Sequence, residues 1–271
     1  MSVLAELDRY FVMRELRQSS EQQMRIYIAV FLKWCGQPDI PIEELTGVRI
    51  SKFLAAKQTE GRRCHYRRSL RNALKALHRF SRNYVNCDPI REVRLDDLDP
   101  DSWTTEQVAK LVKACDRLPY CDRNWWRTFI LAGYYTGLNA IDLHRITRAS
   151  LMPEGHVVIN RSKTGKRTFT AMPQNVMAEV LAFAPAEGPV WELKTSDEAF
   201  RMRFRRLVRL AGIPAGSFKQ LRKTSGTLLE KANPGKGHVH LGNTAEIFKK
   251  HYEDVKVTQA NPTMPPELPL D

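Results

Sequence analysis

Hydrophobic positions along this chain recur mostly at helical spacing. Leu4, Leu7 and Phe11 share one face of a first predicted helix, and Met24, Tyr27, Ile28, Phe31 and Trp34 one face of a second. Gln18-Ser19-Ser20-Glu21 interrupts the pattern, which predicts Ser19 or Ser20 as an N-cap; Gly36 and Pro38 end the second helix. A short helix is predicted over 48–56. A longer one from about Cys64 to Tyr84 turns Leu70, Leu74, Leu77 and Phe80 inward. Helical periodicity lapses in the aspartate- and proline-rich stretch 88–101, then resumes. Thr104 and Gln107 have capping-box spacing ahead of Val108, Leu111 and Val112. Residues 125–135 form a strongly apolar helix, and Gly137 fits a left-handed cap after it. The period then changes to two: 156–160 and 167–172 read as strands around the turn Arg161–Lys166, where Gly165 can take positive φ. Helices are expected over 173–183 and 192–210, the latter with Phe200, Phe204, Leu207 and Val208 inward. Another carries Lys219 and Arg222. A last helix over 244–253 has Asn243 and Glu246 at capping-box spacing, Ile247 and Phe248 inward, and Tyr252 one turn beyond Phe248. Pro262, Pro265, Pro266 and Pro269 predict an extended tail.

At 271 residues, 42% of them apolar, the chain can bury one large core or two modest ones. A formal charge of +13 changes the picture more, because it points to a polyanionic partner, most simply nucleic acid. The excess is concentrated. Arg62, Arg63, Arg67, Arg68, Arg71, Lys75, Arg79 and Arg82 fall on or beside the helix from Cys64, with almost no acid among them. Like charges of this density repel unless a polyanion neutralises them. Arg201, Arg203, Arg205, Arg206 and Arg209 form a second basic patch. No apolar run reaches membrane-span length, and the N-terminus lacks a secretory pattern. The five cysteines include no C-x-x-C pair, which fits reduced thiols in the cytoplasm. His238 and His240, read as loop residues, have no second ligand pair, so no metal site is expected.

The chemistry-bearing positions fall in ordered boxes. Lys219 and Arg222 are three apart, on one helical face. Leu241-Gly242-Asn243 follows, and Tyr252 comes nine residues after Asn243. Upstream stand Thr136-Gly137-Leu138-Asn139 with Asp142, and the hairpin Lys163-Thr164-Gly165-Lys166. This series resembles the signature boxes of the tyrosine recombinases (phage integrases) over about residues 1–255. The resemblance implies a mainly α (α+β) fold. A helical SAM-like DNA-binding domain would span 1–87, a linker 88–102, a catalytic-type domain with a small β-sheet 103–255, and a Pro-rich tail 256–271. It further implies a clamp on double-stranded DNA, self-association as dimers or tetramers on DNA, and a nucleoid-associated cytoplasmic location. The phosphate contacts expected are Arg62, Arg63, Arg67, Arg68, Arg71, Lys75, Arg201 and Arg205.

In that family a tyrosine attacks a backbone phosphate and forms a 3′-phosphotyrosyl link, without cofactor or metal. Carried over residue by residue, Tyr252 is the nucleophile, Lys163 the general acid and Arg222 a phosphate clamp. Lys219 takes a position where the family has His or Lys, and Asn243 a third-donor position. Asn139 stands where the family has its first arginine, with Arg145, Arg148 or Arg127 as candidates to replace it in space. Two readings follow: a recombinase with altered donors, active in integration of a mobile element, or a recombinase fold that binds DNA with catalysis impaired or lost.

Overall fold

The computed structural model describes residues 1–82, 84–85, 88–95 and 101–258, with Tyr120 and Cys121 by backbone alone. Residues 96–100 of the acidic stretch and the Pro-rich tail beyond residue 258 lie outside the described residues. The chain divides into two units, Met1–Leu98 and Asp99–Asp271.

The first unit is helical: α1 (Val3–Met13), α2 (Gln18–Cys35), α3 (Gly47–Thr59) and α4 (Cys64–Phe80). Ser2 caps α1 by accepting from Ala5 N, and Thr46 caps α3 by accepting from Arg49 N. α2 starts earlier than its serines suggest. Arg17 is the N-cap residue, without a side-chain cap bond, so Ser19 and Ser20 lie inside the helix. Gly36 closes α2 at φ +76°. Leu7, Ile28, Phe31, Phe53, Leu70, Leu74 and Leu77 are fully buried and form the core. α4 ends at Phe80, short of the expected Tyr84, and Phe80 is half-buried, edge-on to Tyr10 at 5.2 Å.

The second unit opens with α5 (Thr105–Ala114), whose capping box between Thr104 and Gln107 has both bonds in place. α6 (Tyr120–Thr136) ends at Gly137, φ +60°, and is followed by the single turn α7 (Ala140–Leu143). β1 (His156–Asn160) and β2 (Arg167–Ala171) pair antiparallel, with Asn160 opposite Arg167. Then come α8 (Gln174–Phe183), α9 (Asp197–Leu210), α10 (Lys219–Ala232), α11 (Gly237–Leu241), α12 (Ala245–His251) and α13 (Val255–Thr258). The architecture is mainly α with one small sheet.

An aromatic layer of Trp125, Trp126, Phe129, Phe200, Phe204 and Phe218 fills the centre of this unit, with Phe129 and Phe218 ring centroids 4.7 Å apart. Gly133 makes room for it: a Cβ there would lie 2.5 Å from Phe218. Phe218 immediately precedes α10, so this packing sets where Lys219 and Arg222 begin. Among the described residues no helix is long and apolar enough to cross a membrane.

Candidate active site

α10 is the element on which the site is built. Four of its buried residues in succession are small (Thr224, Ser225, Gly226, Thr227), which lets α11 and α12 approach closely. A Cβ on Gly226 would come within 2.7 Å of Leu241 and 2.9 Å of Phe248. Thr224 Oγ1 accepts from Trp103 N at 2.9 Å. Thr227 Oγ1 donates to the Tyr252 carbonyl at 2.9 Å and accepts from Asp254 N at 3.1 Å. Asp254 in turn accepts from Ser102 N and Oγ at 2.8 and 3.0 Å. The backbone immediately after Tyr252 is thereby pinned to α10 and to the start of the unit.

Arg222, 3% exposed, joins two boxes that lie far apart in sequence. Its Nη1 donates to the Gly137 carbonyl. Its Nη2 donates to the Leu241 carbonyl at 2.6 Å and weakly to Asn243 Oδ1 at 3.4 Å. Both carbonyls are aimed by left-handed glycines, Gly137 at φ +60° and Gly242 at φ +65°, a conformation other residues rarely adopt. A side chain on Gly137 would also strike Leu241 and His240 at 2.7 and 2.9 Å.

Tyr252 lies against the cations of α10, with Arg222 Cζ and Lys219 Nζ each 5.2 Å from its ring centroid. Burial alone would raise the phenol. The charge and hydrogen bonding of Arg222, the charge of Lys219 and the amide of Asn243 outweigh it and hold Tyr252 below its ordinary value. Asn243 Nδ2 and Arg222 Nε are nevertheless buried without a hydrogen-bond partner of good geometry.

The N-cap of α12 is Thr244, which accepts from Ile247 N, so the expected Asn243–Glu246 capping box does not form. Asn243 instead continues the C-cap of α11, donating its N–H to the His238 carbonyl at 3.0 Å. That leaves its side chain to the site. His238 and His240 belong to α11, where a loop was expected. Phe248 is buried as expected, but Ile247 is 48% exposed because α12 is short and packs through one narrow face. His240 Nε2 lies 2.7 Å from Ser225 Oγ. Burial, then Arg222 and Arg161, push His240 down to about 4.

Lys163 sits exposed at the hairpin tip. Asn139 is half-buried as the residue capping α7; its carbonyl accepts from Asp142 N and Leu143 N, both at 3.0 Å. It lines a cleft of about 500 Å³ with Lys219, Arg145 and Arg201. Of the three candidates to replace an arginine at 139, two are held away by other partners, and Arg145 is the one that shares the cleft with Asn139. Arg127 pairs with Glu179 at 2.6 Å, and Arg148 donates to the Leu181 and Ala184 carbonyls, both at 3.0 Å. Arg145 donates to the Asn160 carbonyl at 3.1 Å.

The residue missed from sequence is Arg161. It is 8% exposed and directed inward, on the same side of the hairpin as buried Val157 and Ile159. Its Nε donates to Thr168 Oγ1 at 3.2 Å, Nη1 to Asp142 Oδ2 at 3.5 Å, and Nη2 to the Leu241 carbonyl at 3.1 Å. Asp142 also accepts from Ser162 N at 2.8 Å. The period-two alternation of β1, continued one step, was the signal that could have found it.

In the first unit the basic helix divides by role. Arg71, with 11% of its side chain exposed, donates to the Arg91 carbonyl at 2.8 Å and pairs with Glu92 at 3.4 Å. Arg67 donates to the Arg62 carbonyl at 3.1 Å and to Gln58 at 2.9 Å. These two hold neighbouring chain segments, which the sequence reading of a uniformly free basic face did not anticipate. Arg62, 3.7 Å from Glu60, Arg63 and Arg68 are exposed, and Lys75 is half-exposed. In the second unit Arg201, 3.9 Å from Glu198, and Arg205 are exposed on α9.

No protein-family model matches the sequence. A tyrosine recombinase, XerA, of Pyrococcus furiosus is 23% identical over 175 residues, covering 64% of this chain and 58% of that protein, so the match spans less than two thirds of the relative's length. Among solved structures, a lambda integrase dimer bound to a COC′ core site superposes with a TM-score of 0.73 at 18% identity, covering 100% of both chains. A lambda integrase tetramer bound to a Holliday junction gives 0.76 at 17% identity, covering 100% of this chain and 81% of that one. The Tn1549 transposon integrase in complex with circular intermediate DNA gives 0.71 at 15% identity, covering 93% and 95%. The chain therefore has the fold of the tyrosine recombinases, the family that its sequence boxes resemble.

Proposed function

We propose that this protein binds duplex DNA and cleaves one strand through Tyr252, in site-specific recombination of a mobile element. The observation that carries the reading is the Tyr252 ring lying within 5.2 Å of both Lys219 Nζ and Arg222 Cζ, with its phenol held below its ordinary pKa. A phenol is a weak nucleophile near neutral pH, and cations that favour its ionised form also oppose the negative charge on a phosphate under attack. In the proposed step the Tyr252 phenol gives up its proton to solvent, its oxygen bonds to phosphorus, and the bond from phosphorus to the 5′-oxygen breaks. Lys163, on the hairpin tip, supplies its proton. Arg222, Lys219 and the free amide of Asn243 hold the non-bridging oxygens. The exposed Arg62, Arg63 and Arg68 and the half-exposed Lys75, together with Arg201 and Arg205, contribute contacts to neighbouring phosphates, so affinity falls steeply with salt. Self-association on DNA is part of this proposal, as seen for the lambda integrase dimer and tetramer bound to their DNA.

A second reading is favoured by one specific residue. Asn139 offers no charge where the family has an arginine, and loss of one such donor costs about 10²- to 10³-fold in rate. On that reading the protein binds DNA and cleaves it slowly or not at all. The deciding experiment incubates the protein, Tyr252→Phe and Asn139→Arg with nicked duplexes drawn from its genomic neighbourhood, after binding is established. A denaturation-resistant adduct mapped to Tyr252 in the unaltered protein supports cleavage. An adduct from Asn139→Arg alone supports the impaired reading. Binding without an adduct from either removes Tyr252 as nucleophile on those sequences.

A further inference from the structure

We propose that Arg161 is a phosphate-binding residue of the Tyr252 site, supplying from the hairpin the guanidinium that position 139 lacks. This inference rests on the reading of that site as one that receives a DNA phosphate.

Four observations support it. The first is proximity. Arg161 Nη2 and Arg222 Nη2 donate to the same oxygen, the Leu241 carbonyl, at 3.1 and 2.6 Å. Their separation cannot exceed those two bonds laid end to end, a spacing at which two guanidiniums can share one phosphate group. The second is charge. Arg161, Arg222 and Lys219 converge here, while Asp142 is the one carboxylate in ion-pair contact with them among the described residues. Two buried guanidiniums side by side repel unless an anion joins them.

The third is spare donor capacity. Each Nη of Arg161 carries two N–H groups, and each makes one hydrogen bond. Arg222 Nε and Asn243 Nδ2 are buried beside the same carbonyl with no partner of good geometry, the Tyr252 phenol being the group they face. Buried polar groups left unpaired in this way call for an acceptor. The fourth is fixation. Thr168 at Nε, Asp142 at Nη1 and the Leu241 carbonyl at Nη2 fix the Arg161 guanidinium in place before any ligand arrives. Asp142 thereby supports an arginine from the hairpin, with its second oxygen fixed by Ser162 N.

The test uses two readouts that fail independently. The first is inorganic phosphate titrated into arginine-¹⁵N-labelled full-length protein, with the Arg161 side-chain signals assigned from Arg161→Lys. Saturable shifts at both Arg161 and Arg222 are expected, with Arg161→Gln weakening phosphate binding at least tenfold. Shifts at Arg222 without Arg161, or equal binding by folded Arg161→Gln, overturn the proposal. The second is the Tyr252 adduct on nicked duplex. Arg161→Gln is expected to lose it about 100-fold while retaining DNA binding, and Asn139→Arg in the same chain is expected to restore it. Full adduct yield in folded Arg161→Gln overturns the proposal. If Arg161→Gln does not fold, the wild-type phosphate titration decides alone. If the unaltered protein forms no adduct yet binds phosphate through Arg161, the cleavage reading fails and the assignment of Arg161 stands.

Discussion

His240 offers a test of the site's electrostatics that needs no DNA. The perturbation is acidification. Burial and the flanking Arg222 and Arg161 hold the imidazole near 4, against an ordinary value of 6.5. The unfolded chain therefore takes up a proton at His240 from about pH 6.5 downward, while the folded chain resists until about pH 4. The stability associated with neutral His240 is fully present above pH 6.5 and is lost as the pH falls through 4. A displacement of this size corresponds to roughly 3 kcal/mol. The direct assay is a histidine ring NMR titration, in which one signal, missing from His240→Gln, should shift only near pH 4. In urea unfolding, the stability advantage of the unaltered protein over His240→Gln should shrink by about 3 kcal/mol between pH 7.5 and 4. Arg161→Gln should move the His240 midpoint back toward 6.5. A His240 midpoint already between 6 and 7, or a stability gap independent of pH, would refute the account of two guanidiniums crowding this ring.

Three further outcomes follow from the same geometry. The Tyr252 phenol, read as the ultraviolet difference between the protein and Tyr252→Phe, should ionise at lower pH than a free tyrosine, and Lys219→Met should raise its midpoint. Gly226→Ala, which in an open helix would stabilise, should destabilise by about 1–3 kcal/mol in chemical unfolding, because its methyl meets Leu241 and Phe248. Thr227→Val removes the hydroxyl that bridges the Tyr252 carbonyl and Asp254 N; it should cost about 1–3 kcal/mol and raise hydrogen exchange at Asp254.

Much of the second unit was legible because its signals are local. The Thr104–Gln107 capping box, the Gly137 cap, the hairpin and the inward face of α9 each depend on residues within one or two turns, and all form where the pattern places them. The failures involve competition between neighbours or contacts distant in sequence. Thr244 and Asn243 are both competent caps, and α11 takes the Asn243 backbone while α12 takes the Thr244 side chain. Arg67 and Arg71 read as free charge because the carbonyls of Arg62 and Arg91 that occupy them cannot be seen in a count of acids. Arg161 was passed over because a charged residue at a turn reads as solvated. Only the strand's alternation and the distant Asp142 and Leu241 show it to be buried.

The bridge from Thr227 to the two peptides that follow Tyr252 has a mechanical consequence. With the Tyr252 N–H held by the Phe248 carbonyl at 2.9 Å and the two peptides after the ring held by Thr227, Tyr252 has no hinge of its own, and its travel is confined to rotation about its side-chain bonds. Such a mount cannot carry a nucleophile far from Arg222. Any phosphodiester that reacts must be brought to the tyrosine, and after bond formation any pull on the joined strand would be borne by α10 and, through Asp254, by Ser102.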